Sequence, residues 1–354
     1  MSKLPISVCI IAKNEQKNID RCLSSLAPYG FEIIIVDTGS TDQTKEIAAK
    51  YTDCIFNFTW IDDFSAARNY SLQMASNNWI LMIDCDEWIE SIDIEEIKYF
   101  QKHYPHDVGS VRRQNITNTP DAPQLYTDTT ERLFSKKYFH YEGIIHEQLR
   151  PKHKNAFETL LLNTTIGHTG YFLGQNEKIE KAKRNLQLLF KQMLDEPNNP
   201  YIYFQIGKTY ISLGDSLKTC LFYEKALSFD LDPQLVYVNV MIIDYGCTLL
   251  ELGQKEKALS LRNVYDSFSS SADFVYTMGM IYLENNLYEE ALDEFQKALT
   301  FDSCRTYGVT SFLSYYQIGK ILLLADESEM AIKYFKLCQD YSPALKELEA
   351  LGIL

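Results

Sequence analysis

Two aspartates one residue apart, Asp84 and Asp86, follow the apolar run 79–83. Side chains alternate along a strand, so the pattern predicts that both carboxylates point the same way where a buried strand ends. Ligands of open α/β sheets usually bind at the carboxyl ends of the strands. Two such close carboxylates repel each other unless a cation lies between them, and Mg2+ prefers oxygen ligands of this kind. The pattern therefore favours a site for a divalent metal and a diphosphate, and its alternative is a pair of solvated surface acids.

Other polar residues follow strand ends in the first half of the chain. Asp37 ends a predicted strand and begins a turn rich in capping residues, and Asn14 and Glu15 follow the first strand. A carboxylate at such a point can accept hydrogen bonds from a ribose or a base, but Asp is also an ordinary turn and cap residue. Arg68 lies on a predicted helix, where its guanidinium can bind a diphosphate or uracil, or form a surface ion pair.

Candidate acid–base groups come later in the chain. His146 and Glu147 are neighbours, and because adjacent strand residues point apart, we expect them to have separate tasks. Glu147 is a candidate general base, and His146 is a candidate for orienting a substrate or a loop. His168 has a glycine on its N-terminal side and another two residues later, and its imidazole can reach a metal across a cleft. Each histidine has the alternative of being a hydrogen-bonded packing residue.

The elements that must position these residues alternate between strands and helices. This order predicts βαβ units and a mainly parallel, Rossmann-like sheet. From residue 107 to about 170 the pattern becomes β-rich and irregular, with turn signals at 118–123. The predicted strands are 6–11, 32–36, 54–58 and the run ending at 83, and the predicted helices include 15–26, 64–75 and 177–194.

The second half of the chain contains an internal helical repeat. A helix-turn-helix frame with small and aromatic residues recurs, and its glycines are Gly207, Gly246, Gly279 and Gly319. The frame resembles the tetratricopeptide repeat, whose unit is about 34 residues, although the second copy is degenerate. A generic helical bundle is the alternative. We predict a catalytic domain at 1–175, a linking helix at 176–198 and an all-α repeat domain at 199–354.

Composition narrows the class of protein. The net charge of −14 argues against broad binding to nucleic acid or anionic lipid. No apolar run is long enough to span a bilayer, and the first residues do not read as a signal peptide. The eight cysteines form no C-x-x-C pair, which favours reduced, buried thiols. We therefore expect a cytoplasmic protein without a membrane span.

The ordered motifs resemble a known family of enzymes. The segments 7–15, 33–42, 64–69 and 79–88 resemble the family 2 inverting glycosyltransferases of GT-A fold, and the match covers residues 4 to 90. The later motifs 132–134, 143–147 and 166–171 look like the branch with C-terminal tetratricopeptide repeats. That branch includes cell-envelope transferases and the peptide S-/O-glycosyltransferases that modify glycocin bacteriocins.

The resemblance implies roles for individual residues. Asp37 is expected to contact the uracil of a UDP-sugar, with Arg68 and Asp84 near the nucleotide. Asp86 is expected to bind Mg2+ or Mn2+, and His168 to complete the metal site. Asn14 and Glu15 belong to the same nucleotide-binding set.

The sequence departs from the family pattern at the general base. No acidic pair stands where many members of the family have one, so Glu147 is assigned by elimination. Asp128 and Glu131 remain rivals.

The expected activity is transfer of a hexose, with glucose preferred, from a UDP-hexose to Cys or Ser/Thr of a ribosomal peptide. The repeats are expected to hold the peptide, because stacked helical repeats form a concave groove. A cell-envelope or lipopolysaccharide-type sugar acceptor is the alternative within the enzyme class. Outside that class, the chain would be a repeat scaffold with an inactive transferase domain. We also expect a homodimer through the helical domain.

Overall fold

A computed structural model describes residues 4–118, 123–153, 156–169 and 175–353. The chain divides into two compact units, Met1–Gln192 and Met193–Leu354. Most of the predicted turn at 118–123, and Gly170 and Tyr171 of the last motif, lie outside the described residues.

The first unit is built on a twisted sheet with a mainly parallel half. Within the described residues, eight strands lie in the order β3-β2-β1-β4-β7-β6-β10-β5, and β8 pairs with β9 in a separate hairpin. The strands β3, β2, β1 and β4 run parallel, whereas β7 is antiparallel to both of its neighbours. The strands are β1 (Ile6–Ala12), β2 (Glu32–Asp37), β3 (Ile55–Asn57), β4 (Trp79–Met82), β5 (Glu87–Ile92), β6 (Val108–Asn118), β7 (Pro123–Ser135), β8 (Phe139–Glu142), β9 (Gln148–Pro151) and β10 (Thr159–His168).

Helices cover the sheet because their apolar faces match its buried strands. The helix α1 buries Ile19, Cys22, Leu23 and Leu26, which is the face that the sequence predicts. Asp63 caps α3, since its carboxylate accepts a hydrogen bond from Ala66 N (2.9 Å). The helices of this unit are α1 (Ile19–Leu26), α2 (Thr44–Ala48), α3 (Phe64–Met74), α4 (Ile94–His103) and α5 (Gln175–Asp195).

The second unit is helical throughout its described residues. Its helices are α6 (Pro200–Ser212), α7 (Ser216–Leu227), α8 (Val236–Glu251), α9 (Lys255–Ala258), α10 (Tyr265–Phe268), α11 (Ala272–Glu284), α12 (Tyr288–Ala298), α13 (Phe312–Leu324), α14 (Ser328–Leu337) and α15 (Ser342–Ala350). A 3-10 segment, Leu259–Val264, joins α9 to α10. The predicted α/β unit followed by an all-α repeat unit is thus confirmed.

The repeat glycines have a packing reason. A Cβ added to Gly207 would lie 2.3 Å from the ring of Tyr223, and one added to Gly319 would lie 2.6 Å from Phe335. The paired helices therefore approach closely only because these positions lack a side chain. In the second copy Gly246 faces smaller groups, and the helix that should pair with α8 is broken between α9 and α10.

Candidate active site

The two aspartates lie in the turn between β4 and β5, not on a strand. The prediction that they point the same way by strand alternation is therefore wrong, because β4 ends at Met82. Asp84 accepts hydrogen bonds from Arg68 Nη2 and Arg132 Nη2, each at 2.9 Å. Burial alone would raise the pKa of Asp84, but these two guanidinium groups outweigh it and hold the pKa below its usual range. Asp86 has a different partner, His168.

Glu87 fixes this turn from inside the protein. It is fully buried, accepts a hydrogen bond from Asp84 N (3.0 Å), and forms an ion pair with Arg132. Burial raises the pKa of Glu87, and the positive charge of Arg132 partly offsets this. Arg132, on β7 next to β4, thus bridges Asp84 of the turn and Glu87, the first residue of β5. The sequence marks Arg132 only as part of a family motif, because its partners are 45 and 48 residues away.

Asp86 and His168 form the candidate metal pair. His168 Nε2 lies 3.3 Å from Asp86 Oδ2, and both side chains are partly exposed. The other ring nitrogen, His168 Nδ1, lies 2.7 Å from Asn115 Oδ1. If Nδ1 donates to that oxygen, Nε2 carries the lone pair that a metal needs. Sequence reasoning missed Asn115, a fully buried amide that gives no signal of its own.

The donor set of this pair fits a divalent cation. Two ligands about 2.1 Å from one ion lie at most about 4.2 Å apart, and the Asp86–His168 separation of 3.3 Å falls within that limit. The backbone holds the pair together, because Thr169 N donates to Asp86 O (3.2 Å). Among the described residues no group of three or more His, Cys, Asp or Glu side chains could hold a metal. A diphosphate and water could supply further oxygen ligands, which suits Mg2+ or Mn2+.

The predicted nucleotide residues shape two interlocking turns. Asp37 is 2% exposed, and its carboxylate accepts hydrogen bonds from Gly39 N and Ser40 N, each at 3.2 Å. Asn14 has a positive φ of 56° and its side-chain oxygen accepts from Thr41 N (2.8 Å). The contact between Asp37 and uracil stays a prediction. The carboxylate oxygens of Asp37 already accept hydrogen bonds that stabilise the turn.

Glu15 is hydrogen-bonded to Thr44 at the start of α2, and its carboxyl senses the charge of Asp86. Its backbone N donates to Thr44 Oγ1 (2.7 Å). Burial raises the pKa of the Glu15 carboxyl, the hydrogen bond from Asn18 partly offsets this, and the negative charge of Asp86 adds to the rise. A cation beside Asp86 would therefore also stabilise the ionised form of Glu15.

Glu147 lies in the loop that joins β8 to β9. Its Oε1 accepts from Arg68 Nε, so Arg68 joins Glu147 to Asp84. No hydrogen bond from the described part of the chain reaches Glu147 Oε2. His146 is exposed in the same loop, with a positive φ of 51°, so the strand argument for separating it from Glu147 does not apply.

The two rival bases have other partners. Both oxygens of Asp128 accept hydrogen bonds from Arg113, at 3.0 and 2.7 Å. Glu131 is exposed and accepts from Thr159 Oγ1 (3.1 Å). Glu147 is largely buried, and its Oε2 accepts no hydrogen bond from the described residues. This combination favours Glu147 as the base.

A cavity of about 550 Å3 opens beside Glu147. Arg68 and Arg132 line it, whereas Asp86 and His168 do not. Both arginines that hold Asp84 therefore also face this cavity. Among the described residues, the cavity is lined by Arg68, Ser110, Thr129, Thr130, Glu131, Arg132, Tyr141, Glu147, Gln148, Leu149, Arg150, Phe157 and Thr159.

Two protein families match this chain, each over a different part of it. Residues 7–182 match the model of glycosyl transferase family 2. Residues 200–233, 272–303 and 313–345 match a tetratricopeptide repeat model, which omits the copy that contains the broken helix. The chain therefore belongs to glycosyl transferase family 2 and carries C-terminal tetratricopeptide repeats.

Individual relatives share this organisation in part. A TPR repeat-containing protein of Synechococcus elongatus is 25% identical over 85% of this chain and 74% of its own length. The SPbeta prophage-derived glycosyltransferase SunS of Bacillus subtilis is 29% identical over 70% of this chain. The match covers 60% of SunS, less than two thirds of that protein. The lipopolysaccharide core biosynthesis glycosyltransferase LpsC of Rhizobium meliloti is 33% identical over 22% of this chain and 30% of its own length.

None of the described helices is both long enough and apolar enough to cross a bilayer.

Proposed function

We propose that this protein is a metal-dependent, inverting hexosyltransferase that uses a UDP-hexose, with glucose as the preferred sugar. The observation that carries the proposal is that Asp84 and Asp86, in one turn, have different partners. Arg68, Arg132 and Glu87 immobilise Asp84, and this leaves Asp86 facing His168 at 3.3 Å. A bound Mg2+ or Mn2+ would neutralise the charge that develops on the leaving diphosphate.

The chain's own residues then hold the reactants and move one proton. Asp86 and His168 would hold the metal, and the turns around Asn14 and Asp37 would receive the nucleotide. The bond between the anomeric carbon and the diphosphate breaks, and its electron pair leaves with UDP. The acceptor sulfur or oxygen bonds to the opposite face of that carbon, and its proton passes to Glu147 Oε2. Attack from the opposite face inverts the anomeric configuration.

The proposed acceptor is Cys or Ser/Thr of a ribosomal peptide. The resemblance to peptide transferases and the presence of tetratricopeptide repeats support this choice, because such repeats commonly bind extended peptides. A thiol acceptor needs less help from a base than a hydroxyl does, since it ionises closer to neutral pH. A homodimer through the helical unit remains a prediction.

A sugar acceptor of the cell-envelope type is the second candidate. The polar lining of the cavity beside Glu147 favours it, because a thiol would leave most of those hydrogen-bonding groups unused. The scaffold alternative predicts that no UDP-hexose is consumed at all.

The deciding experiment incubates the protein with Mn2+, UDP-glucose and candidate acceptors, and records products by mass spectrometry. We expect one hexose to be added to a peptide, and the addition to be lost in Asp86→Ala. Asp53→Ala is the matched control, because Asp53 is an exposed carboxylate in the same unit. If UDP-glucose is consumed only when a saccharide acceptor is present, the acceptor is a sugar and not a peptide. The absence of any consumption would favour the scaffold.

A further inference from the structure

Trp88 connects the end of β10 to α1. It lies opposite Gly167 in the antiparallel pair of β5 and β10. A Cβ added to Gly167 would lie 2.1 Å from the Trp88 ring, so the indole can pack on the backbone of β10 only because Gly167 has no side chain. The guanidinium of Arg21, on α1, lies over the same ring, with its central carbon 3.9 Å from the ring centre. This distance is within the reach of about 6 Å for a cation–π contact.

Arg21 also binds the residue that follows the candidate metal ligand His168. Its Nη2 donates to Thr169 Oγ1 at 2.6 Å, although the two residues are 148 positions apart in the chain. The backbone N of Thr169 donates in turn to Asp86 O (3.2 Å). Thr169 is therefore held by α1 through its side chain and by the Asp86 turn through its backbone. These two contacts fix the chain directly after His168, the residue at which β10 ends.

The positive charge of Arg21 would by itself act against a bound metal ion. A guanidinium beside a cation site repels the cation, so its removal should strengthen Mn2+ binding. A role in holding Thr169 predicts the opposite, because the separation of 3.3 Å between Asp86 and His168 would no longer be fixed. The two expectations differ in sign, so a binding measurement separates them.

We propose that Arg21 is a positioning residue that fixes the end of β10 through Thr169 and so orients His168 toward the candidate metal. The inference rests on the proposed metal-dependent function and adds a residue to it. Asn115 holds the imidazole ring of His168 from within the sheet, whereas Arg21 holds the adjoining backbone from α1. Arg21 touches neither Asp86 nor His168 and acts through its neighbour in space.

Mn2+ binding measures this role without turnover. Electron paramagnetic resonance of free Mn2+, recorded with UDP present, gives the affinity of the full-length wild type, of Arg21→Met and of Thr169→Val. Loss of a direct partner of a metal ligand typically weakens affinity about 10–100-fold, and Arg21 acts through one further contact, so we expect about three- to tenfold for each variant. The double variant should bind about as weakly as the weaker single variant, because both substitutions break the same hydrogen bond.

Lys17→Met is the matched control. Lys17 is an exposed cation shortly before α1, and its removal also takes one positive charge from this part of the protein. Its Mn2+ affinity should stay within about twofold of the wild type, because an exposed charge contributes little. Far-UV circular dichroism checks that each variant is folded.

Amide hydrogen exchange, followed by NMR without metal, tests the same contact independently. The Thr169 amide is hydrogen-bonded to Asp86 O, so Arg21→Met should speed its exchange by about threefold or more. The amide of Val8, on β1 between β2 and β4, should keep its rate. A change at Thr169 alone shows local loosening and not a general loss of stability.

Unchanged or stronger Mn2+ binding in Arg21→Met, or an equal weakening in Lys17→Met, would overturn the inference whatever the exchange rates. If the wild type with UDP binds no Mn2+, the proposed metal dependence is wrong. The exchange rate of the Thr169 amide then decides alone whether Arg21 holds this segment, and an unchanged rate would overturn that as well.

Discussion

Replacing Arg132 by methionine should destabilise the first unit strongly. Arg132 Nη2 contacts both Asp84 Oδ2 and Glu87 Oε1, and Glu87 is fully buried. The substitution removes two charge-assisted hydrogen bonds, each worth about 1.5–3 kcal/mol. It leaves the buried Glu87 with only the more distant Arg113, whose Nη1 lies 3.8 Å from Glu87 Oε1. Breaking a buried ion pair from one side typically costs about 3–5 kcal/mol, and we expect a loss of unfolding free energy in that range.

Tryptophan fluorescence in urea measures this loss in the correct unit. The three tryptophans of the chain, Trp60, Trp79 and Trp88, all lie in the first unit. The control is Arg112→Met, because Arg112 is an exposed neighbour on β6 without an ion pair among the described residues, and its effect should stay within about 0.5 kcal/mol. A loss below about 1 kcal/mol for Arg132→Met, or an equal loss for the control, would refute the idea that this arginine holds the turn.

Other predictions concern the base, the metal pair and the repeats. Glu147→Gln should lower kcat by about 10²–10⁴-fold because the general base is lost. A change of less than tenfold in transfer to a hydroxyl acceptor would make Asp128 or Glu131 the candidate base. Asn115→Leu should weaken Mn2+ affinity about 10–100-fold, because the hydrogen bond that orients His168 is lost. The Mn2+ dependence of turnover measures this affinity, and an unchanged dependence would show that Asn115 does not orient His168 for the metal. Gly207→Ala should lower the free energy of unfolding by about 1–3 kcal/mol, because the new methyl group meets Tyr223. Unfolding followed by circular dichroism at 222 nm measures this change. A neutral effect would show that the two helices can move apart without cost.

Local patterns were enough to predict much of the fold. Short apolar runs predict β1 and β2, and helical periodicity predicts α1, because these strands are buried almost throughout and α1 buries one apolar face. The recurring glycines predict the repeats, since each of Gly207, Gly279 and Gly319 faces an aromatic ring of the next helix. These signals lie within about 20 residues of their partners in the chain.

The details of the site depend on contacts between distant segments. The pattern placed Asp84 and Asp86 on a strand, because an apolar run does not show where its hydrogen-bonded ladder ends. Asn115 lies 53 residues from His168, and its role appears only when β6 and β10 pair side by side. The same holds for Arg132, because its guanidinium reaches Asp84 only when β7 pairs with β4.

We propose that Asp86, facing His168, makes the activity of this glycosyltransferase depend on a metal ion. The most direct measurement is UDP release from UDP-glucose as Mn2+ is titrated, in the wild-type protein, Asp86→Ala and Asp53→Ala. We predict saturable activation by Mn2+ in the wild type and in Asp53→Ala, and a loss of at least about 100-fold in Asp86→Ala. UDP release that does not depend on Mn2+, or that is equal in Asp86→Ala and the wild type, would contradict the claim.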